Sequence, residues 1–362
     1  MKYKLHLLLL LCMFSFISNV FGQQDVGFKK ADRVLKKLVR KKKVPGIAIT
    51  ITKNGETQFS KGYGYADLDR ELPVNPATTI FRVGSVSKPI SATGLAKMVA
   101  KNQLKLSDSI YDCVSYFPKK EYGFTIRQLG GHLAGIRNYK DNEFMNNKPL
   151  TIKEGVSLFE NDTLLFQPGR GYSYTSYSWS LLSLVMQEVA QKPFEDIIND
   201  EVLVPLGLKN TFPDKQQELV DKAIFYRKKR KRKFIEATPV HNFFKLAGGG
   251  YLSTSEDIAK LGNAYLTDKF LPNEVKDKFT TSQKIKENLT YYGVGWQASY
   301  DHKNRPYFGH IGNGLGGYGI FYVYPKENIV VSILMNCSNP YQDERFYKII
   351  DAVFDELAEG NN

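Results

Sequence analysis

The chain is poor in the residues from which metal centres and disulfide frameworks are built. Its 362 residues include three cysteines and five histidines, with no His-x-His or His-Glu-x-x-His spacing. A zinc hydrolase therefore has no ligand set to draw on, and no metal site is expected. Cys113 and Cys337 are too few and too far apart in sequence to form a framework of bridges, and whether they pair is open. A Gly-x-Ser-x-Gly elbow is missing, which argues against a Ser-His-Asp hydrolase of the α/β type. Acidic residues are in deficit, 37 against 50 basic ones, for a formal net charge of +13. Long apolar runs are scarce too. The run at 7–17 is too short to span a bilayer, and no later run is long enough. Internal repeats are absent.

What the N-terminus does carry is a leader. Lys2 and Lys4 precede the apolar run, and Ser18-Asn19-Val20-Phe21-Gly22 supplies a small-residue cleavage site. That is the layout of a secretory signal peptide over 1–22, cut near Gly22. Leu11 before Cys12 is bulky for a lipid-attachment site. The expectation is an exported protein, periplasmic or extracellular, whose mature chain carries a net charge near +11. Part of that excess sits at 227–233, Arg-Lys-Lys-Arg-Lys-Arg-Lys, between two apolar stretches. The pattern reads as a hairpin with a basic tip. It is either a solvated loop or a contact for anionic cell-wall polymer or a membrane surface. An exported chain without a recognition motif excludes nucleic acid.

Hydrophobic periodicity orders the rest. Phe28, Ala31, Val34, Leu35, Leu38 and Val39 share one face of a helix within 26–43. Ile47, Ile49 and Ile51 alternate along a strand, Asn54-Gly55 marks a hairpin turn, and 57–65 returns as its partner. From 101 to 244 helices and irregular connections dominate, including a short capped helix at 125–132 and a buried one at 176–191. Strand texture resumes with the alternation of Val294, Trp296 and Ala298, then at 307–311, 318–324 and 329–335. A closing helix uses Phe346, Ile349, Ile350, Val353 and Phe354. The fold class expected is α+β: an antiparallel sheet flanked by terminal helices, with a large, mostly helical insertion. Residues 23–362 form a single domain, its α/β part at 23–100 and 245–362 and the insertion at 101–244.

Three short motifs carry chemistry. Ser85-Val86-Ser87-Lys88 opens a helix, because Pro89 is tolerated only in a first turn and Ala92, Leu95, Met98 and Val99 follow at helical spacing. Ser85 and Lys88 are then i, i+3 neighbours, and a neutral amine can take the serine proton. Tyr174-Thr175-Ser176 follows a Pro-Gly turn and enters the buried helix. A second Tyr-x-Ser, at Tyr251, follows three glycines and reads as loop. His310-Ile311-Gly312-Asn313 ends a short strand, where glycine permits close backbone approach. His132 reads as a structural histidine.

Together, in this order, the motifs resemble the serine β-lactamase and DD-peptidase superfamily, and most closely its class C-like branch of penicillin-binding proteins and esterases. The resemblance spans nearly the whole mature chain. Stretches such as 136–139 and 245–250 look similar to an animal mitochondrial β-lactamase-like branch. It implies a β-lactamase/transpeptidase-like fold and a serine hydrolase with Ser85 as the acylated nucleophile. Lys88 would be its base, and Tyr174 the relay to the leaving group and the hydrolytic water. Ser176, His310, Gly312 and Asn313 would bind substrate, the amides of Ser85 and Asn313 forming the oxyanion hole. No cofactor is implied. Two departures bear on substrate. Ser176 stands where the family often has asparagine, and His310 where many members carry lysine. A histidine is mostly neutral near pH 7, which weakens a carboxylate anchor. The expectation therefore moves toward a D-amino-acid peptide or an ester, with β-lactams as poor substrates. The alternative is a catalytically silent scaffold or binding protein on the same fold.

Overall fold

The computed structural model describes residues 28–229, 233–340 and 344–359. The segment read above as a leader, 1–22, and residues 230–232 of the basic run lie outside them. In chain order the elements used below are α1 (Lys29–Arg40), β1 (Gly46–Lys53), β2 (Glu56–Asp67), β3 (Leu72–Pro73) and β4 (Phe81–Arg82). Next come α2 (Ser87–Ala100), α3 (Ile126–Gly130), α4 (Tyr177–Ala190), β5 (Phe212–Pro213), β6 (Tyr226–Lys229) and β7 (Lys233–Glu236). The chain closes with β8 (Tyr251–Ser253), α5 (Ser255–Asn263), β9 (Gln297–Tyr300), β10 (Pro306–Gly314), β11 (Gly317–Tyr324), β12 (Ile329–Met335) and α6 (Glu344–Glu359).

Seven strands, all paired antiparallel, lie in the order β9-β10-β11-β12-β1-β2-β3. The N-terminal hairpin meets the C-terminal strands where β1 pairs β12 from Ile47↔Met335 to Lys53↔Ile329. At the β1–β2 turn Asn54 and Gly55 both take positive φ, the backbone that matches strand twist. One face of the sheet receives Ile47, Ile49 and Ile51 with Leu35, Leu38, Ile349 and Val353 of α1 and α6. On the opposite face the small and hydroxyl side chains of β1 meet α5: Thr50 Oγ1 lies 2.9 Å from Ser255 Oγ, and Thr52 donates to Asn263 Oδ1 at 2.6 Å. The polar residues of β1 are thus buried and paired.

The larger core lies on that second face and gathers α2, α4 and the short helices around Trp179 and Trp296. α2 is mostly small or apolar, and Ser87 through Ala96 are all buried, Lys88 among them. Its internal hydroxyls bond back to the helix, Ser91 Oγ to the Ser87 carbonyl and Thr93 Oγ1 to the Pro89 carbonyl. α3 opens with a capping box in which Thr125 and Gln128 satisfy each other's backbone.

Several expectations shift. The first helix is shorter than 26–43. Val294 and Trp296 do not lie on a strand: Gly295 has φ +79° between them, and β9 begins at Gln297. Tyr251 is not in a loop but on β8, which pairs with both β4 and β5. His310 sits within a nine-residue strand, not at the end of a short one. β6 and β7 do pair as the hairpin expected around the basic run. Cys113 and Cys337 are both free. Among the described residues, no helix is long and apolar enough to cross a membrane.

Candidate active site

Ser85 lies in a one-turn 3₁₀ segment, Gly84–Val86, that feeds straight into α2. β4 holds the entry to this turn, Phe81 pairing Ser253 and Arg82 pairing Leu252 on β8. Ser87 ties the layers together. Its hydroxyl donates to the Gly84 carbonyl at 2.7 Å and accepts from the Tyr251 amide at 3.0 Å. Gly84 takes φ +54°, a conformation that glycine adopts without strain.

Lys88 is fully buried at the second position of α2, and desolvation holds its amine well below the ordinary lysine range. Three atoms surround its Nζ: the Gly248 carbonyl oxygen at 2.6 Å, Ser85 Oγ at 3.1 Å and Ser176 Oγ at 3.2 Å. A carbonyl only accepts, so one N–H goes to Gly248. The neutral amine favoured by burial has a second N–H for Ser176 and a lone pair for the Ser85 hydroxyl. From the other side Tyr174 donates its phenolic O–H to Ser85 Oγ at 2.7 Å. Burial raises the Tyr174 pKa, so the phenol keeps its proton. α4 itself begins at Tyr177, with Ser176 at its mouth and Tyr174 in the segment before it.

β10 closes one side. A Cβ on Gly312 would sit 1.9 Å from the Val83 carbonyl oxygen and 3.1 Å from the Ser85 amide nitrogen. A Cβ on Gly84 would sit 2.8 Å from the Asn313 amide nitrogen. Two glycines thus bring the Ser85 turn against the Asn313 backbone. The Asn313 side chain accepts from the Asn339 amide at 3.0 Å. A cleft of about 210 Å³ opens over this point, and its walls include Ser85, Ser176, Asn313, Tyr139, Phe144 and Lys245.

His310 departs from its expected place. Its ring is 1% exposed, Nδ1 lies 2.7 Å from the Ile311 carbonyl oxygen and Nε2 lies 2.9 Å from the Tyr292 hydroxyl. The carbonyl requires a hydrogen on Nδ1, so Nε2 accepts from Tyr292. Both nitrogens are therefore engaged within the protein, and the ring stands behind the cleft rather than in it. Burial depresses its pKa to about 3, which keeps it neutral. His132, expected to be structural, is buried with its ring 4.5 Å from that of Tyr174. Three contributors escaped the sequence reading: the Gly248 carbonyl, Tyr292 behind His310, and Tyr139, which lines the cleft with Ser176. The glycine run at 248–250 was visible, but nothing in it says which carbonyl faces an amine.

An uncharged amine, set against a serine oxygen that a phenol also bonds, is equipment for acyl transfer and needs neither metal nor histidine. On this sheet-and-helix scaffold it defines the serine β-lactamase and DD-peptidase superfamily of serine hydrolases. The chain belongs to the beta-lactamase family, whose description matches residues 31–354. It is 25% identical over 402 residues to the human mitochondrial serine beta-lactamase-like protein LACTB, covering 81% of this chain and 73% of the relative. Among solved structures it is similar to the octameric penicillin-binding protein homologue from Pyrococcus abyssi. That match has TM-score 0.80 and 25% identity, and covers 92% of this chain and 78% of the other. The D-amino acid amidase from Ochrobactrum anthropi SV3, solved with D-phenylalanine, has TM-score 0.80 at 20% identity, covering 90% and 98%. This last likeness is one of fold.

Proposed function

We propose that this chain is an exported hydrolase of the class C-like branch that forms an acyl-enzyme through Ser85. Its substrate is a D-amino-acid peptide or amide, or an ester. The observation that carries the reading is the position of Ser85 Oγ, 3.1 Å from the Lys88 amine and 2.7 Å from the Tyr174 hydroxyl.

Lys88 takes the Ser85 proton as Oγ attacks the substrate carbonyl. Negative charge then develops on the carbonyl oxygen, where the amides of Ser85 and Asn313 and the mouth of α2 stabilise it. Collapse breaks the bond to the leaving group. The proton held on Lys88 returns to that group by way of the Tyr174 hydroxyl, leaving the acyl group on Ser85. Water then attacks the ester, its proton passing back through the same pair, and Ser85 is released. Every proton in this cycle moves between Ser85, Lys88, Tyr174, water and the leaving group. Export rests on the leader sequence at 1–22. The D-amino-acid preference rests on the fold likeness to the amidase and on the neutral His310.

Labelling with a fluorophosphonate or fluorescent penicillin, read by intact mass, tests the reading. One adduct on the wild type and none on Ser85→Ala is the expected result. A folded protein that no acyl-type probe labels would instead be a silent scaffold. Turnover of D-alanyl peptides, D-amino-acid amides, p-nitrophenyl esters and nitrocefin then ranks the substrates.

A further inference from the structure

The cleft over Ser85 has two cationic side chains in its walls, and they differ in one respect. Arg82 is neutralised: its Nε donates to Asp214 Oδ2 at 2.7 Å, the same oxygen takes Asn242 Nδ2 at 2.7 Å, and Arg82 Nη1 donates to the Leu315 carbonyl. Lys245 has no such counter-ion. It is 7% exposed, and its Nζ donates to the Phe144 carbonyl oxygen at 2.5 Å. Its amine lies 5.2 Å from the centre of the Phe244 ring and 5.8 Å from that of Tyr139. Among the described residues no carboxylate comes within ion-pair distance of it. An ammonium so placed is costly unless something anionic joins it.

Position makes the amine useful. Lys245 ends the short turn that leads into the 246–249 helical turn, and Gly248 of that turn receives the Lys88 amine. It also lines the same cleft as Ser85, Ser176 and Asn313. The other basic groups near the serine offer no charge to a ligand. Lys88 is neutral by burial, and His310 is buried, neutral and fully bonded. One carbonyl occupies one of the three ammonium hydrogens, which leaves donors for an anion.

We propose that Lys245 is the anion anchor of this cleft, holding a carboxylate carried by a short acyl substrate whose scissile carbonyl lies at Ser85. The cleft is smaller than the about 300–1,000 Å³ typical of drug-sized sites, which suits a substrate of one or two residues. The proposal rests on the acyl-enzyme reading and deepens it. The carboxylate is recognised from the Phe144 and Lys245 wall instead of from β10, where a lysine at 310 would have done so.

The test separates binding from catalysis. In Ser85→Ala, the affinities of N-acetyl-D-alanyl-D-alanine and its C-terminal amide are measured by calorimetry. The free acid is expected to bind at least about tenfold tighter, a difference of roughly 1.4 kcal/mol. Adding Lys245→Met, which keeps the aliphatic stem, should abolish that preference. Circular dichroism of the double variant, and fluorophosphonate labelling of Lys245→Met on its own, check that fold and pocket survive. A second readout needs no change at Lys245. Burial and Arg82 lower the Lys245 pKa to about 8 against the opposing pull of the more distant Asp214 carboxylate, so the acid-over-amide preference should shrink between pH 7 and 9.5. Equal binding of acid and amide at pH 7, or a preference that survives both Lys245→Met and high pH, overturns the proposal. Failure of Ser85 to label in the wild type overturns the acyl-enzyme reading instead.

Discussion

Lys88 donates to the carbonyl oxygen of Gly248 at 2.6 Å, the shortest of the three contacts around that nitrogen. The bond aims the amine. With one hydrogen fixed on a backbone acceptor and another on Ser176, the remaining direction points at Ser85. Gly248 is itself required there, because a Cβ would lie 2.9 Å from the Ser176 carbonyl oxygen and 3.0 Å from its Cβ. The general base is therefore placed by backbone that arrives from far along the chain.

Its burial gives a pH signature. Unfolded, Lys88 titrates near 10.4, while the folded value is lower, so between the two the unfolded chain binds the extra proton and stability rises with pH. Lys88→Met lacks this dependence. The stability of wild type relative to Lys88→Met should therefore increase from pH 7 to pH 10 in urea titrations. Acylation of wild type should be lost as pH falls through the depressed value, and Lys88→Met should acylate roughly 10²–10⁴-fold more slowly.

Gly312→Ala tests the meeting of β10 with the Ser85 turn. The added methyl would overlap the Val83 carbonyl oxygen at 1.9 Å and press on the Ser85 amide. Gly312 is paired with Gly319 of β11 and its other side meets the Val83 carbonyl, so the two amides should separate. The expected loss in acylation rate is roughly 10²–10³-fold, that of an oxyanion donor. Stopped-flow labelling checks it, with circular dichroism as the control for folding.

His310 is expected to give no inflection near pH 6.5 in the kcat/KM profile, since it stays neutral down to about 3. Its contribution to stability runs the other way from that of a histidine held in a salt bridge. It is complete above the unfolded value of about 6.5 and declines as pH falls toward 3, by up to about 1.4 kcal/mol per pH unit. His310→Gln should lessen the acid sensitivity of the urea midpoint between pH 6.5 and 4.5. His310→Lys should destabilise by on the order of 3 kcal/mol, an unpaired charge behind Tyr174, without improving selectivity for carboxylate-bearing substrates.

Asp214→Asn isolates the buried ion pair. Asp214 is 1% exposed and joins Arg82 at the foot of the cleft. Removing its charge leaves a guanidinium buried without a counter-ion, so a loss of about 3–5 kcal/mol is expected. Chemical denaturation measures it. Restoring neutrality with Arg82→Met in the Asp214→Asn background should recover part of the loss.

The sequence by itself determined the elements that local pattern controls. Alternating isoleucines made β1, Asn54-Gly55 made its turn, and Pro89 with the apolar spacing after it placed Ser85 at a helix mouth. It also paired the serine with the lysine, because their i, i+3 spacing follows from helix pitch, whereas Tyr174 was reached through the family resemblance, since Tyr-x-Ser occurs twice in the chain. Tertiary structure decided what each polar atom faces. It set His310 against Tyr292 instead of in the cleft. The 246–249 turn brought a carbonyl to Lys88 and left the Lys245 amine without a counter-ion. These are distances between residues widely separated in sequence, set by how the two cores pack on opposite faces of one sheet. No local period in the chain encodes them.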